Sequence, residues 1–142
     1  MSRFQAKTIV VPVDFSEESL AALDTALDIA DDPSGVHAVH VIPELNVAQP
    51  GVIWQEIDNE TRSQHAVEAL RERLSDEKYK SVQIDIKIGD PGYRIVDFAN
   101  KVGADLIVIP SHGRKGIARL LIGSVTERVV RLSECPVLVL RK

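Results

Sequence analysis

The chain has a single cysteine, Cys135, so an internal disulfide framework is excluded and a reducing compartment is the expectation. Its place just before the last apolar run reads as a small packed residue rather than a reactive thiol. No apolar stretch approaches the length of a membrane span, and the opening residues MSRFQAK lack the apolar core of a signal peptide. The cytoplasm is therefore the expected location. Charge of one sign is nowhere concentrated: 17 Lys and Arg stand against 21 Asp and Glu, a net charge of −4. Without a basic arm or block, nucleic acid is not an expected partner of the surface at large. The four histidines, His37, His40, His65 and His112, match no compact zinc spacing. Internal repeats, low-complexity segments and linkers are lacking too. At 142 residues the chain has room for one domain with a substantial core and not for two comfortable ones. Residues 1–142 are read as one domain.

What is present is an alternation of two periodicities. Residues 7–13, KTIVVPV, form a β-branched apolar run. Ser16 follows as a helix N-cap with Glu17 and Glu18 in the first turn. Leu20, Leu23, Ala26, Leu27 and Ala30 then repeat at helical spacing up to Pro33-Ser34-Gly35. Residues 36–42 predict a second strand. Residues 43–55, with two prolines, an Asn and a Gly before Trp54, read as a loop. The sole tryptophan there suits lid or interface packing better than base stacking. Residues 57–74 read as a polar helix with one narrow stripe, Ile57, Ala66, Leu70 and Leu74. Val82, Ile84, Ile86 and Ile88 alternate along residues 81–88, as in a half-covered strand. Asp90-Pro91 is an N-cap with proline at the first helical position, and Ile95, Val96, Ala99 and Val102 carry that helix to Gly103, a C′ residue. Residues 106–109, 124–133 and 136–140 complete the pattern as strand, helix and strand.

Five strands alternating with four helices imply a parallel sheet covered on both faces. Right-handed crossovers then require the strand order to reverse somewhere, and ligands bind at the carboxyl ends of strands beside such a reversal. Periodicity leaves open which strands flank it.

Residues 106–130, LIVIPSHGRKGIARLLIGSVTERVV, carry the sharpest chemical signal. A strand ends in Pro110-Ser111-His112-Gly113, a basic glycine-containing loop follows, and Gly123-Ser124-Val125-Thr126-Glu127 opens a helix. First-turn N–H groups lack intrahelical partners and the helix dipole is positive there, so phosphate is well received. Ser124 and Glu127 also have the spacing of a capping box, which would compete with phosphate for the same amides. Gly113 and Gly116 around Arg114 and Lys115 allow backbone and cations to approach an anion, or simply make an exposed basic turn. Neither the Gly-Lys-Ser/Thr of a P-loop nor a Gly-x-Gly-x-x-Gly fingerprint is present.

Asp14 ends the first strand. It can accept from ribose hydroxyls or an amine, or serve as a cap and charge for the helix that follows. Glu17 and Glu18 beside it would repel phosphate. A sugar or base near the first strand and phosphates near the fourth satisfy both charge patterns. His40 lies within a strand pattern and reads as packed and hydrogen-bonded. Ser111-His112 adjacency does not make a catalytic pair, since neighbouring side chains seldom point together, and no nucleophile with a base can be read.

Taken in order, these segments resemble the universal stress protein family along essentially the whole chain. The matching pieces are Ile9-Val10-Val11-Pro12-Val13-Asp14-Phe15-Ser16, His40-Val41-Ile42, Gly89-Asp90-Pro91 and Ala104-Asp105-Leu106-Ile107-Val108-Ile109. Ser111-His112-Gly113-Arg114, Gly123-Ser124-Val125-Thr126-Glu127-Arg128-Val129 and Cys135-Pro136-Val137-Leu138-Val139 complete them. The resemblance implies a single-domain, Rossmann-like fold of the adenine nucleotide alpha hydrolase kind, an open five-stranded parallel sheet of order 3-2-1-4-5 with helices on both faces. It also implies a homodimer through the last strand, residues 136–140.

Members of that family divide into ATP binders and proteins that bind no nucleotide. The binding signature is Gly, two residues, Gly, nine residues, then Gly with Ser or Thr. Gly113, nine residues and Gly123-Ser124 match it; the first glycine is replaced by Pro110. Proline fixes φ, lacks an N–H and adds a ring, but keeps its carbonyl. Carried over, Asp14 and Val41 would contact adenosine, with Pro12 and Val13 lining its pocket. Pro110, Ser111, His112, Gly113, Arg114, Gly123, Ser124, Val125 and Thr126 would surround the phosphates. Mg²⁺ or Mn²⁺ would be held through the nucleotide, and residues 43–55 would close over the site. Three readings follow: an ATP-binding stress-response protein, a dimeric interaction module whose pocket Pro110 closes to nucleotide, and a slow ATPase. Binding rather than turnover is the expectation, because no general base is positioned. A receiver domain would need paired acids after the first strand and a Lys near the fifth; a flavodoxin would need a Ser/Thr-Gly-rich loop where Asp14-Phe15-Ser16-Glu17-Glu18 stands.

Overall fold

A computed structural model describes residues 6–44, 55–112 and 123–141, with the side chains of 55–58 outside the description. Strands and helices alternate as β1 (Ile9–Pro12), α1 (Glu17–Ile29), β2 (Val36–Ile42), α2 (Gln55–Arg73), β3 (Gln83–Ile88), α3 (Pro91–Val102), β4 (Leu106–Pro110), α4 (Ser124–Leu132) and β5 (Val137–Leu140). Short 3-10 turns at Pro33–Gly35 and Glu77–Tyr79 lead into β2 and β3. All neighbouring strands are parallel and the sheet order is β3-β2-β1-β4-β5. The reversal falls between β1 and β4, as the family resemblance implied. Trp54 and nearly all of residues 43–55 lie outside the described residues.

Alternation along the central strands builds two cores. Ile9, Val11, Val13 and Val108 point to one face, where Ala22, Leu23 and Ala26 of α1 and Leu70 of α2 meet them. Val10, Ile107 and Ile109 point to the other, against Ile95, Phe98 and Ala99 of α3 and Val129 of α4. Side chains alternate at period two on a strand, so two neighbouring residues of β1 serve opposite layers. Among the described residues no helix is long and apolar enough to cross a membrane.

Local caps explain three ends of two helices, α1 and α3. Ser16 accepts from the Ser19 N–H, with Glu17 and Glu18 in the first turn of α1. Asp90 accepts from the Tyr93 N–H and Pro91 occupies the first turn of α3. Gly103, at φ 66°, closes α3 by donating its N–H to the Ala99 and Asn100 carbonyls. Strand β1 starts at Ile9 rather than residue 7, because the N–H groups of Lys7 and Thr8 both donate to Asp105 Oδ2 at 3.0 Å. Helix α4 starts at Ser124 as the sequence pattern predicts, but not through a capping box: its N-cap is Gly123, and among the described residues no side chain caps it. The Gly123 N–H donates to the Ser111 carbonyl at 2.8 Å, which draws the chain into the helix before Ser124 can act as a cap.

Candidate functional site

Backbone parity decides what lies at the reversal. On a parallel strand the N–H groups of successive residues face opposite neighbours. The Val13 N–H donates to Val39 of β2 at 2.8 Å, so the amide of residue 12 would face β4. The Ile107 and Ser111 N–H groups donate to the Pro136 and Leu140 carbonyls on the β5 side, at 3.0 and 2.9 Å, so the amide of residue 110 would face β1. Both positions are proline and have no amide to offer. Registered pairing between β1 and β4 is correspondingly short, Ile9 with Leu106 and Val10 with Ile107. Beyond it β1 stays with β2 and β4 with β5. Pro12 and Pro110 thus end the hydrogen-bonded seam between β1 and β4 at the point where doubly wound folds place ligands.

The β4 lip is tied to the start of α4. Thr126, 3% exposed, donates its hydroxyl to the Pro110 carbonyl at 2.8 Å. That carbonyl faces β1, where residue 12 has no N–H and the Asp14 N–H is taken by Ser19 Oγ, so the threonine satisfies it. Together with the Gly123–Ser111 bond this fixes the first turn of α4 on the end of β4. The first intrahelical bond there runs from the Glu127 N–H to the Gly123 carbonyl at 2.9 Å. The amides of Ser124, Val125 and Thr126 precede it, with no side-chain cap among the described residues, at the positive end of the dipole. Ser124 is exposed and Gly123 half-buried. Gly113 and Arg114 lie outside the described residues.

The β1 lip is a hydrogen-bonded turn around Asp14. Its Oδ1 accepts from the Ser16 N–H at 3.1 Å and from the Ser16 hydroxyl, and its own N–H donates to Ser19 Oγ at 3.3 Å. Next to it Phe15 adopts φ 67°, a left-handed conformation that costs a bulky residue roughly 1–3 kcal/mol. The strain is held from β2. His40 donates from Nδ1 to the Val13 carbonyl at 2.7 Å, and its ring meets Phe15 edge-on with centroids 4.9 Å apart. A carbonyl only accepts, so the His40 proton is on Nδ1. Pro12 is half-buried on the lip, whereas the Val13 side chain, 2% exposed, belongs to the core beneath and leaves only backbone at the crevice. Val41 stands on β2 two residues beyond Val39, the partner of Pro12, and so level with the Asp14 turn. The turn's dependence on Phe15 and His40 carried no sequence signal beyond the packed, hydrogen-bonded reading of His40.

Ser111 and His112 are brought closer than adjacency led us to expect, Ser111 Oγ lying 3.3 Å from His112 Nδ1. The contact is long, and His112 Nε2 is buried with no hydrogen-bond partner among the described residues, so no acid orients the imidazole as a catalytic base would require. Among the described residues no group of three His, Cys, Asp or Glu side chains is gathered to hold a metal ion. The crevice has one acidic lip and one uncapped helix start.

An open parallel sheet reversed at β1 and β4, with only two registered pairs between them, is a doubly wound α/β domain, the architecture that places ligands at such a reversal. The chain belongs to the universal stress protein family, whose model matches residues 5–141. It is 37% identical to the universal stress protein MJ0531 of Methanocaldococcus jannaschii, over 96% of this chain and 82% of that protein. Its fold matches universal stress protein UspA from Lactobacillus plantarum with a TM-score of 0.77 at 26% identity, over 98% of this chain and all of the other (100%). It also matches a universal stress protein solved in complex with cAMP, with a TM-score of 0.58 at 26% identity over 96% of this chain and 97% of that one.

Proposed function

We propose that this protein binds ATP in the crevice between β1 and β4 and acts as a nucleotide-responsive stress protein rather than as an enzyme. The observation that carries the reading is the first turn of α4. Among the described residues no side chain caps it, it is anchored to the end of β4 by two hydrogen bonds, and β4 neighbours β1, the strand that leads into the Asp14 turn. Phosphates suit the uncapped amides of Ser124, Val125 and Thr126, and ribose hydroxyls suit Asp14. Thr126 serves through its amide, since its hydroxyl is committed to Pro110. Gly123 leaves the approach to those amides open. Pro12 and Val41 border the adenosine, Val13 contributes backbone, and Ser111, His112, Gly113 and Arg114 complete the phosphate side as the family motif implies. Pro110 is compatible with this arrangement: its missing amide faces β1 beyond the last registered pair of the seam, Val10 with Ile107, and its carbonyl is satisfied by Thr126. A relative of similar fold held with cAMP supports an adenine nucleotide as the ligand.

Mg²⁺ or Mn²⁺ would enter with the nucleotide and supply positive charge that the amides of Ser124, Val125 and Thr126 do not carry. The same reading makes residues 1–142 one functional domain, pairs two copies through β5, and places the protein in the cytoplasm. Titration calorimetry with ATP, with and without Mg²⁺, on protein shown free of co-purified nucleotide, tests it. Stoichiometric binding that weakens in Gly123→Val supports the α4 site. A folded, nucleotide-free protein that takes up no ATP sinks it and leaves the dimeric interaction module.

A further inference from the structure

Gly89-Asp90-Pro91 and Arg128 belong to no part of the nucleotide site, yet the structure joins them. Helices α3 and α4 pack on each other, and Arg128 of α4 places Nη1 3.1 and 2.9 Å from the two carboxylate oxygens of Asp90. Asp90 is also the cap of α3, accepting from the Tyr93 N–H at 3.3 Å. The arginine stem lies over Gly92, where an added Cβ would come within 2.5 Å of Arg128 Cδ. Its guanidinium sits over the Tyr93 ring, 5.2 Å from the centroid. One side chain of α4 is thus held by a charge, a bare backbone and an aromatic face, all in the first turn of α3.

Arg128 is 38% exposed and Asp90 47%. Pairs this open to water add little to global stability, so the arrangement acts through position. Arg128 comes four residues after Ser124, one turn behind it on the same face of α4. We infer that Arg128 and Asp90 form a latch that holds the first turn of α4 in place against the end of β4. Its bearing on phosphate rests on the nucleotide reading above; there both are positioning residues, setting where the uncapped amides stand. The rival role is electrostatic, with Arg128 acting on phosphate directly as a counter-charge and Asp90 merely diminishing it.

Two variants separate these roles. Arg128→Met keeps an unbranched stem over Gly92 without the charge, and Asp90→Asn keeps a good cap for Tyr93 while weakening the ion pair. Amide hydrogen exchange is first measured without ligand at Gly123, whose N–H is bonded to Ser111, with Val13, bonded to Val39, as the internal reference. The latch requires Gly123 to exchange about three- to tenfold faster in both variants while Val13 is unchanged. Affinities for ATP and adenosine are then compared: the latch lowers ATP affinity about three- to tenfold in both variants and leaves adenosine unmoved. Unchanged Gly123 exchange in either variant overturns the inference. So does a gain in ATP affinity in Asp90→Asn, which is the counter-charge result, or an equal loss for ATP and adenosine. If the parent binds no ATP, the nucleotide reading fails and the Gly123 exchange alone decides the latch.

Discussion

Thr126→Val removes one buried hydroxyl and changes the side-chain volume very little. The hydroxyl donates to the Pro110 carbonyl at 2.8 Å, and the residue is 3% exposed. Water has little access to repair the loss, and the Asp14 N–H, the β1 amide that register would bring to that carbonyl, is taken by Ser19 Oγ at 3.3 Å. A buried acceptor left unsatisfied costs about 1–3 kcal/mol. For a chain of 142 residues, the unfolding entropy is about 0.3 kcal/mol per kelvin near the midpoint, so a loss of about 2 kcal/mol lowers Tm by roughly 7 °C. In urea, with a slope of about 2 kcal/mol/M, the same loss moves the midpoint down by roughly 1 M. Thr126→Ser is the control: it keeps the hydroxyl and loses one buried methyl, about 0.8 kcal/mol. Urea melts of the three proteins, followed by circular dichroism, decide the matter. A valine variant within about 0.5 kcal/mol of the parent, the usual scatter of neutral substitutions, would falsify the claim that Thr126 satisfies an otherwise orphaned carbonyl.

His40→Phe keeps a ring against Phe15 but removes the donor to Val13; an expected loss of about 1–2 kcal/mol should come with amide shift changes centred on residues 14–16. Shifts spread evenly over β2 instead would remove His40 as the support of the Asp14 turn. Gly103→Ala forces φ 66° on a residue with a Cβ, but no atom within 4 Å meets that Cβ. The cost should therefore be conformational alone, about 1–2 kcal/mol, and a larger loss in the melt would reveal a contact that the structure does not contain. Burial, then the hydrogen bond to Asp24, hold the Tyr79 hydroxyl above its ordinary pKa of 10.0, and the hydrogen bond to Asp24 raises Lys78 above 10.5. Both shifts favour the protonated form in the folded state. Their contribution is complete below the unfolded values and fades as pH rises through the folded ones. Stability measured from pH 8 to 12 should fall on the alkaline side, and Tyr79→Phe should make that fall shallower; an equally steep fall would remove Tyr79 as a contributor.

Features fixed by neighbours in the chain were the ones legible in the sequence. Ser16, Asp90 and Gly103 each act within a few residues, and each ends a helix where its residue type implied. Boundaries moved where distant groups intervened: Asp105, across the chain from Lys7 and Thr8, takes the amides that would have lengthened β1. The capping box at Ser124 failed for a similar reason, because the Gly123–Ser111 bond made Gly123 the N-cap. Pro110 is the instructive case. In sequence it is a missing motif glycine; its physical meaning depends on which strand its absent amide would face, and that follows only from register. The same holds for Phe15, whose left-handed backbone is imposed by His40 on another strand.

The short seam between β1 and β4 has a consequence for the sheet as a mechanical object. Past Val10 and Ile107 no registered pair joins β1 to β4 among the described residues, while β3-β2-β1 and β4-β5 stay paired. A molecule gripping both the Asp14 turn and the start of α4 would act as the missing rung between them. Occupancy would then be recorded as stiffness across the whole domain.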